Sequence, residues 1–412
     1  MYLQKTAYFT NNVSKINKKE LRNVRIISIY AFLSGFVYFE PSLSEFFFVL
    51  SFPFLLLSIK YDFKTIIFST ILIISLIASF FNGNLIGWFD LSYSIRYTVI
   101  DFYLILLFLI FVSVTKKIVD NFFLIESIMK WWTIASLINI FMCFFAIVTG
   151  IKNFGGAEII SFGIRFQGFF KDPNVLGPFL TIPAAFWFEK YLKNKKRNIL
   201  YLAISIILMV GVVMTFSRAA WLNIFFTIFI LLLLHINKIN VKNYLRIFSF
   251  MFLVLLLLLF LTETNIEIFG YQLSDVFRSR LGLQSYDEDR FEAQRSFTKG
   301  IEIAPFLGVG PGNYFLLSEG YATHNLYFRT IGEKGLLGMI ILLILLFVTL
   351  KNFWRIRKSY AFLFCGFVGT LINSFFIDSW HWRHIWVLFV LGFVFNSKTL
   401  NKRSDLPAIS EE

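Results

Sequence analysis

The feature that most constrains this chain is the recurrence of apolar runs rich in Leu, Ile and Phe, each followed by a short polar or basic stretch. Six fall near 26 to 39, 46 to 59, 65 to 81, 98 to 114, 131 to 150 and 175 to 192. Six more fall near 199 to 216, 219 to 236, 245 to 261, 335 to 350, 361 to 377 and 384 to 395. Apolar residues are 57% of the 412, about 235 side chains, more than one water-facing domain could bury. Twelve membrane-crossing helices of roughly 20 residues would use about 240, a close match. The expected fold is therefore all-α: a polytopic integral membrane protein with about 12 transmembrane helices and a long outer loop between spans 9 and 10. Residues 1–25 form a basic cytoplasmic N-terminus, 26–261 hold spans 1 to 9, and 262–334 form the outer loop. Residues 335–395 hold spans 10 to 12, and 396–412 form a cytoplasmic tail. The 55 Phe exclude disordered and collagen-like chains, which lack bulky apolar residues. Cys143 and Cys365 lie inside apolar runs and read as small buried side chains, not as a disulfide scaffold.

Charge orients the spans. The net charge of +14 would point to nucleic acid in a soluble protein, but here the basic residues follow the membrane, and no nucleic acid partner is expected. Lys15, Lys18, Lys19, Arg22 and Arg25 precede the first apolar run with no small-residue cleavage site after it, so the first span reads as uncleaved. With the N-terminus inside, 26 of the 39 Lys and Arg fall in cytoplasmic segments. Of the other 13, 7 lie in the 262–334 loop, where the positive-inside bias is weak. The remaining 26 against 6 places both termini in the cytoplasm and the long loop outside.

The outer side holds the residues able to do chemistry. Arg165 and Lys171 follow span 5, and Arg218 closes the short turn Thr215-Phe216-Ser217-Arg218 at the membrane edge. There an arginine either snorkels to headgroups or binds an anion. In the long loop, Phe291, Ala293, Phe297, Ile301 and Ile303 interleave with Arg290, Glu292, Arg295 and Lys299, which fits an amphipathic surface helix over 289–303, ending before Pro305. The glycine run Gly308-Val309-Gly310-Pro311-Gly312 reads as a compact turn. It is no phosphate-binding P-loop, since no Gly-Lys-Ser/Thr follows and no strand precedes it. Asp287-Glu288-Asp289 reads as a solvated turn, and with no HExxH or CxxC pattern no metal site is expected. No Gly-x-Ser-x-Gly elbow supports a serine hydrolase. Among the histidines, His324 ends the outer loop just before a helix re-enters the bilayer. A neutral imidazole there could take a proton from a hydroxyl nucleophile, or it could cap the helix or bind headgroups. His235 reads as a neutral interfacial residue, and His381 and His384 as parts of an aromatic interfacial anchor around Arg383.

Four segments in order resemble the O-antigen ligase and polymerase superfamily. They are Arg165-Phe166-Gln167-Gly168 through Lys171-Asp172-Pro173-Asn174, the Ser217-Arg218 turn, the Gly308–Gly312 loop with Asn313-Tyr314, and His324-Asn325-Leu326-Tyr327 with Glu333-Lys334-Gly335. Ala219-Ala220 departs from the glycine such a turn would carry, which bears on packing and not on charge. The resemblance implies an integral-membrane glycosyltransferase fold in the bacterial cytoplasmic membrane. It implies transfer of a glycan from an undecaprenyl-pyrophosphate-linked donor to a hydroxyl of another glycan or of lipid A core, with membrane lipids as surroundings. His324, Arg165 and Arg218 would then be catalytic; Arg290, Asn174, Asn325 and Glu333 would bind substrate, with Glu333 as a possible orienting partner for His324. Arginines neutralising the diphosphate would leave no need for a metal or other cofactor. The competing reading is a transporter or flippase for lipid-linked sugars, which should carry ionisable or helix-breaking residues near the midplane, often in repeated halves. Asp101 and Asn373 come nearest, both toward outer ends of spans, and no repeat is visible.

The topology has a direct check. Cysteines engineered at 285 and 320 should be modified by a membrane-impermeant reagent in intact cells, whereas those at 194 and 355 should be protected. Labelling at 194 would reverse the orientation.

Overall fold

The computed structural model describes residues 17–60, 62–116, 118, 121–194, 198–235, 262–282 and 285–394, with 245, 248, 252, 256 and 259 between them. The ninth expected span, 245–261, therefore lies mostly outside the described residues, as does the expected cytoplasmic tail 396–412. Five helices come first: α1 (Lys18–Leu33), α2 (Leu43–Leu56), α3 (Phe63–Leu85), α4 (Leu91–Thr115) and α5 (Asn121–Thr149). Two small hairpins follow, β1 (Asn153–Phe154) with β2 (Ala157–Glu158) and β3 (Ile160–Ser161) with β4 (Arg165–Phe166). Next are α6 (Pro173–Lys193), α7 (Ile199–Met214) and α8 (Arg218–Leu234). The outer loop contributes a third hairpin, β5 (Glu267–Ile268) with β6 (Tyr271–Gln272), and four short helices. These are α9 (Leu273–Leu281), α10 (Ser285–Arg295), α11 (Phe297–Ile303) and α12 (Tyr314–Leu317). Three helices close the chain, α13 (Leu326–Arg355), α14 (Ala361–Asn373) and α15 (Arg383–Val394).

The fold is mostly helical, and each of the other eleven expected spans overlaps a helix. Four helices, α3, α4, α5 and α13, are long and apolar enough to cross a membrane; α2, α7, α8, α14 and α15 are apolar but shorter. Among the described residues four helices have the length and composition of a membrane crossing, and the other expected spans coincide with helices that are shorter or less apolar. The apolar runs outlast their helices: α7 stops at Met214 before the Thr215-Phe216-Ser217 turn, and α14 stops at Asn373 before Ser374–Ile377. Helix α15 lies at the centre, buried on nearly every side and packed on α4 and α13, as a helix apolar all round requires. On α3 one face is exposed at Ile67, Ile71, Ile74 and Ile77, the pattern of a helix facing lipid. At the far end of α6 from Pro173, Glu189 accepts from the Ala361 and Phe362 N–H groups (2.9 and 2.7 Å), filling the open N-terminus of α14.

Helix α13 is broken. At Gly335 the backbone turns to φ 63°, ψ −165°, which leaves carbonyls above the break and N–H groups below it without intrahelical partners. The glycine-rich loop supplies them. Val309 and Gly310 donate to the carbonyls of Gly332 and Glu333 (3.0 and 2.9 Å), and Leu336 and Leu337 donate to those of Pro305 and Phe306 (2.8 and 3.1 Å). Helix α3 seals the other side: Ser79 Oγ donates to the Glu333 carbonyl (2.7 Å) and Asn82 Nδ2 to that of Gly308 (2.8 Å). A Cβ on Gly83 would sit 2.2 Å from the Val309 carbonyl oxygen, so the backbones meet only because no side chain intervenes. The run expected to be a compact turn is also a docked segment, wedged between α3 and the break in α13.

Gly83→Ala should consequently cost about 1–3 kcal/mol through overpacking. Gly282, where an added Cβ would meet nothing within 4 Å, should accept alanine with little change. Thermal unfolding in detergent, compared across the two variants, checks this; equal midpoints would mean the loop is not wedged against α3.

Candidate functional site

Among the helices that begin on the side expected to be outer, three carry side-chain caps drawn from the segments singled out above. Asp172 Oδ1 accepts from the Asn174 N–H (2.8 Å) ahead of Pro173 at the first turn of α6. Ser217 Oγ accepts from Ala220 N–H (3.3 Å) at the start of α8. Asn325 Oδ1 accepts from Tyr327 and Phe328 N–H (2.9 and 3.0 Å) at the start of α13. Helices α6 and α8 pack together, and Gly177 permits it, since a Cβ there would lie 2.4 Å from the Ala220 methyl. The close approach that Ala219-Ala220 put in doubt is supplied by the partner helix. Helix N-termini carry partial positive charge, so α6 and α8, joined side by side, favour an anion at their outer ends.

Arg165, on β4, fastens these two ends. Its Nε donates to the Thr215 carbonyl (2.8 Å) and its NH2 to Asn174 Oδ1 (3.0 Å), and the residue is only 5% exposed. Arg218 is more open, its side chain 31% exposed. Its NH1 donates to the Gly282 carbonyl (3.0 Å) and its NH2 pairs with Asp287 Oδ1 (2.5 Å) at the start of α10. Arg290 lies on the same helix, three residues on, hence on the same face.

His324 occupies a left-handed backbone conformation (φ 45°), which only the surrounding packing can hold. Leu326 N–H donates to the Ser374 carbonyl (2.9 Å) and Asn325 Nδ2 to that of Phe375 (2.9 Å), pinning this corner to the end of α14. Burial, and then the Arg290 guanidinium, hold the imidazole below its ordinary value of 6.5; Asp172 and Asp378 pull the other way without prevailing. Near pH 7 the ring is neutral, the form that can accept a proton.

The site residues therefore separate by role. Asn174 is joined to Arg165, and Arg290 bears on His324, while Asn325 is occupied as a cap. Glu333 is not beside His324: its carboxylate takes Arg329 Nε (2.8 Å), and Arg329 also pairs with Asp378. The expected aromatic anchor is also different. Trp380 and Trp382 are buried inside the protein, Trp380 Nε1 donates to Asp101 Oδ1 (2.8 Å), and His381 Nε2 lies 2.9 Å from the same oxygen. Asp101 also pairs with Lys334 Nζ (2.6 Å), and Arg383 pairs with Glu45. Aromatic composition alone could not tell a headgroup-facing belt from a wall around buried charges. His235 is likewise buried, its Nδ1 2.8 Å from the Leu231 carbonyl and its Nε2 3.8 Å from Glu189, and not an interfacial side chain. Asp287 sits in the first turn of α10, buried, where a solvated turn was expected; Glu288 and Asp289 beside it are exposed. Its only sequence signal is the three-residue spacing to Arg290. Among the described residues no three His, Cys, Asp or Glu side chains gather as a metal site.

Residues 203–343 match the family model described as O-antigen ligase. The match supports membership of the O-antigen ligase and polymerase superfamily. It covers about a third of the chain and includes Arg218, Asp287, Arg290, His324 and the helix break, but not Arg165 or Asn174. No curated protein matches the chain. Together with its long apolar helices, the O-antigen ligase match supports an integral membrane protein working in surface-glycan biosynthesis.

The electrostatics make a signed expectation. His324 should titrate below 6.5, and Arg290→Gln should raise its midpoint by removing a repelling positive charge. NMR of ring-labelled histidine in the detergent-solubilised protein measures both. A midpoint above 6.5, or one that falls in the variant, would contradict the placement of Arg290.

Proposed function

We propose that the protein transfers a glycan from an undecaprenyl-pyrophosphate-linked donor to an acceptor hydroxyl at the outer face of the cytoplasmic membrane, as a ligase or a polymerase. The observation that carries this reading is a half-buried His324 whose imidazole is held below its ordinary value by burial and by Arg290, with Arg218, Arg290 and His324 all inside the O-antigen ligase match. His324 takes the proton of the acceptor hydroxyl as its oxygen attacks the anomeric carbon of the donor sugar. The bond from that carbon to the diphosphate oxygen breaks, and its electron pair leaves with the polyprenyl pyrophosphate. Arg218 and Arg290 meet the charge that develops, in a setting where fixed donors act more strongly than in water. Arg165 contributes by holding the capped starts of α6 and α8 together, so their N–H groups and dipoles face the same anion. Arginines performing this neutralisation make the reaction independent of a divalent cation, a proposal distinct from the transfer itself. The acceptor is another lipid-linked glycan in a polymerase and lipid A core in a ligase, both offering the same hydroxyl chemistry.

In a reconstituted assay with a purified lipid-linked donor, His324→Ala should lower turnover about 10² to 10⁴-fold with donor affinity retained, the usual size of a general-base effect. Arg218→Lys should retain little activity and Arg218→Ala almost none, because lysine keeps the charge but loses the planar fork. EDTA should leave the wild-type rate unchanged. Normal transfer by the Arg218→Ala protein would refute the reading of that arginine and favour a headgroup contact. Loss of donor affinity in His324→Ala would make that residue a binding group, and inhibition by chelator reversed by Mg²⁺ would restore a role for metal.

A further inference from the structure

Arg218 does not present an empty fork. Both of its terminal nitrogens are engaged by the outer loop, NH1 by the Gly282 carbonyl and NH2 by the Asp287 carboxylate. The Asp287 side chain is 7% exposed and that of Arg218 31%, so the pair sits at a boundary, closed on the loop side and reachable on the other. A carboxylate and a phosphate oxygen offer a guanidinium the same planar, anionic pair of acceptors. One guanidinium can hold two anions on different nitrogens, as Arg329 does, but a phosphate that takes both terminal nitrogens of Arg218 must displace the Asp287 carboxylate from NH2 and the Gly282 carbonyl from NH1.

The loop end of this contact is not passive. Asp287 and Arg290 share one face of α10, and Arg290 is the cation that depresses His324. Helix α9 anchors the same loop close by, where Phe277 packs on Phe216 and Trp221 beside the start of α8 (ring centroids 4.9 and 6.0 Å apart). The loop therefore has a fixed apolar foot at α9, next to the contact between Asp287 and Arg218.

We propose that Asp287 is a positioning residue that holds the Arg218 fork until the diphosphate of the lipid-linked donor takes its place. This rests on the reading of Arg218 as a diphosphate ligand. The carboxylate keeps the guanidinium aimed and competes with the donor for it. Donor binding breaks the contact between α8 and α10 while the α9 foot remains, so α10 shifts with its arginine as the donor arrives. No covalent bond is made or broken in the exchange.

The test measures binding of undecaprenyl pyrophosphate, without glycan, to the full-length detergent-solubilised protein. Asp287→Asn should bind it about tenfold more tightly than wild type, since the amide removes the competing charge while keeping the shape; Arg218→Ala should lose binding. Unchanged or weaker binding by Asp287→Asn, with binding still lost in Arg218→Ala, would overturn the competition and leave the arginine reading intact. Wild-type binding by Arg218→Ala would overturn both. A second measurement needs no variant: undecaprenyl pyrophosphate should speed proteolytic cleavage within 262–325 of the wild-type protein. Unchanged or slower cleavage would count against release of α10.

Discussion

A membrane-crossing helix can stop and restart only if its exposed backbone groups find partners other than water, because each one left bare in lipid costs several kcal/mol. In this protein the stop is at Gly335, and the partners are the backbone of 305–310 and Ser79 of α3, while Asn82 of α3 holds the Gly308 carbonyl of the loop. Four main-chain hydrogen bonds cross between loop and helix, two in each direction, so neither element is complete without the other. Asn313 extends the seam, its Nδ2 donating to Ser94 Oγ and to the Val309 carbonyl while its Oδ1 accepts from Asp90 N–H. The end of the outer loop is thereby attached to α3, α4 and α13 at once. The upper half of α13, which begins at the His324 corner, inherits its position from this joint.

Beside the joint lies a connected set of polar and charged side chains, with Asp101 and Glu333 buried and the rest half-buried. Asp101 pairs with Lys334 and His381, Arg329 pairs with Glu333 and Asp378, and the 3.4 Å contact of Arg329 NH1 with His381 Nδ1 joins the two groups, from α4 through α13 to the segment before α15. Buried ion pairs are weak sources of net stability, because desolvation offsets most of the attraction, but losing one member is costly. Their effect is to fix geometry: each charge accepts few alternative positions once the others are placed. Arg329 stands at the middle and also lies over the Tyr97 ring, 4.7 Å from its centroid.

Much of this was legible in the chain, for reasons that differ by element. Apolar runs marked helix positions because lipid and protein interior both exclude polar side chains, yet the same indifference hid where helices end short of a full crossing. Asp172 before Pro173, Ser217 and Asn325 are residues whose side chains cap helices, so those starts were open to reading. Gly335 was not, since a positive φ leaves no mark on a glycine that stands between Glu333-Lys334 and the apolar run it opens. Trp380, His381 and Arg383 have the same composition whether they face headgroups or enclose Asp101; only tertiary contacts separate the two. Asp287 was indistinguishable from its acidic neighbours until Arg218, 69 residues earlier, was brought against it.

The two arginines nearest the starts of α6 and α8 differ in kind. Arg165 is buried, and its guanidinium joins a backbone carbonyl to a side-chain amide, a span that no shorter or single-pronged cation bridges. Under the proposed transfer, a genetic screen scored on surface polymer would not tell the two arginines apart. Protein yield would divide them, because replacing Arg165 unfastens two helices and invites degradation, whereas the half-exposed Arg218 sits where its loss leaves the fold to accumulate. Loss of function at position 165 would thus be first a failure of assembly, and a protein of this design can be disabled with its more exposed site residues untouched.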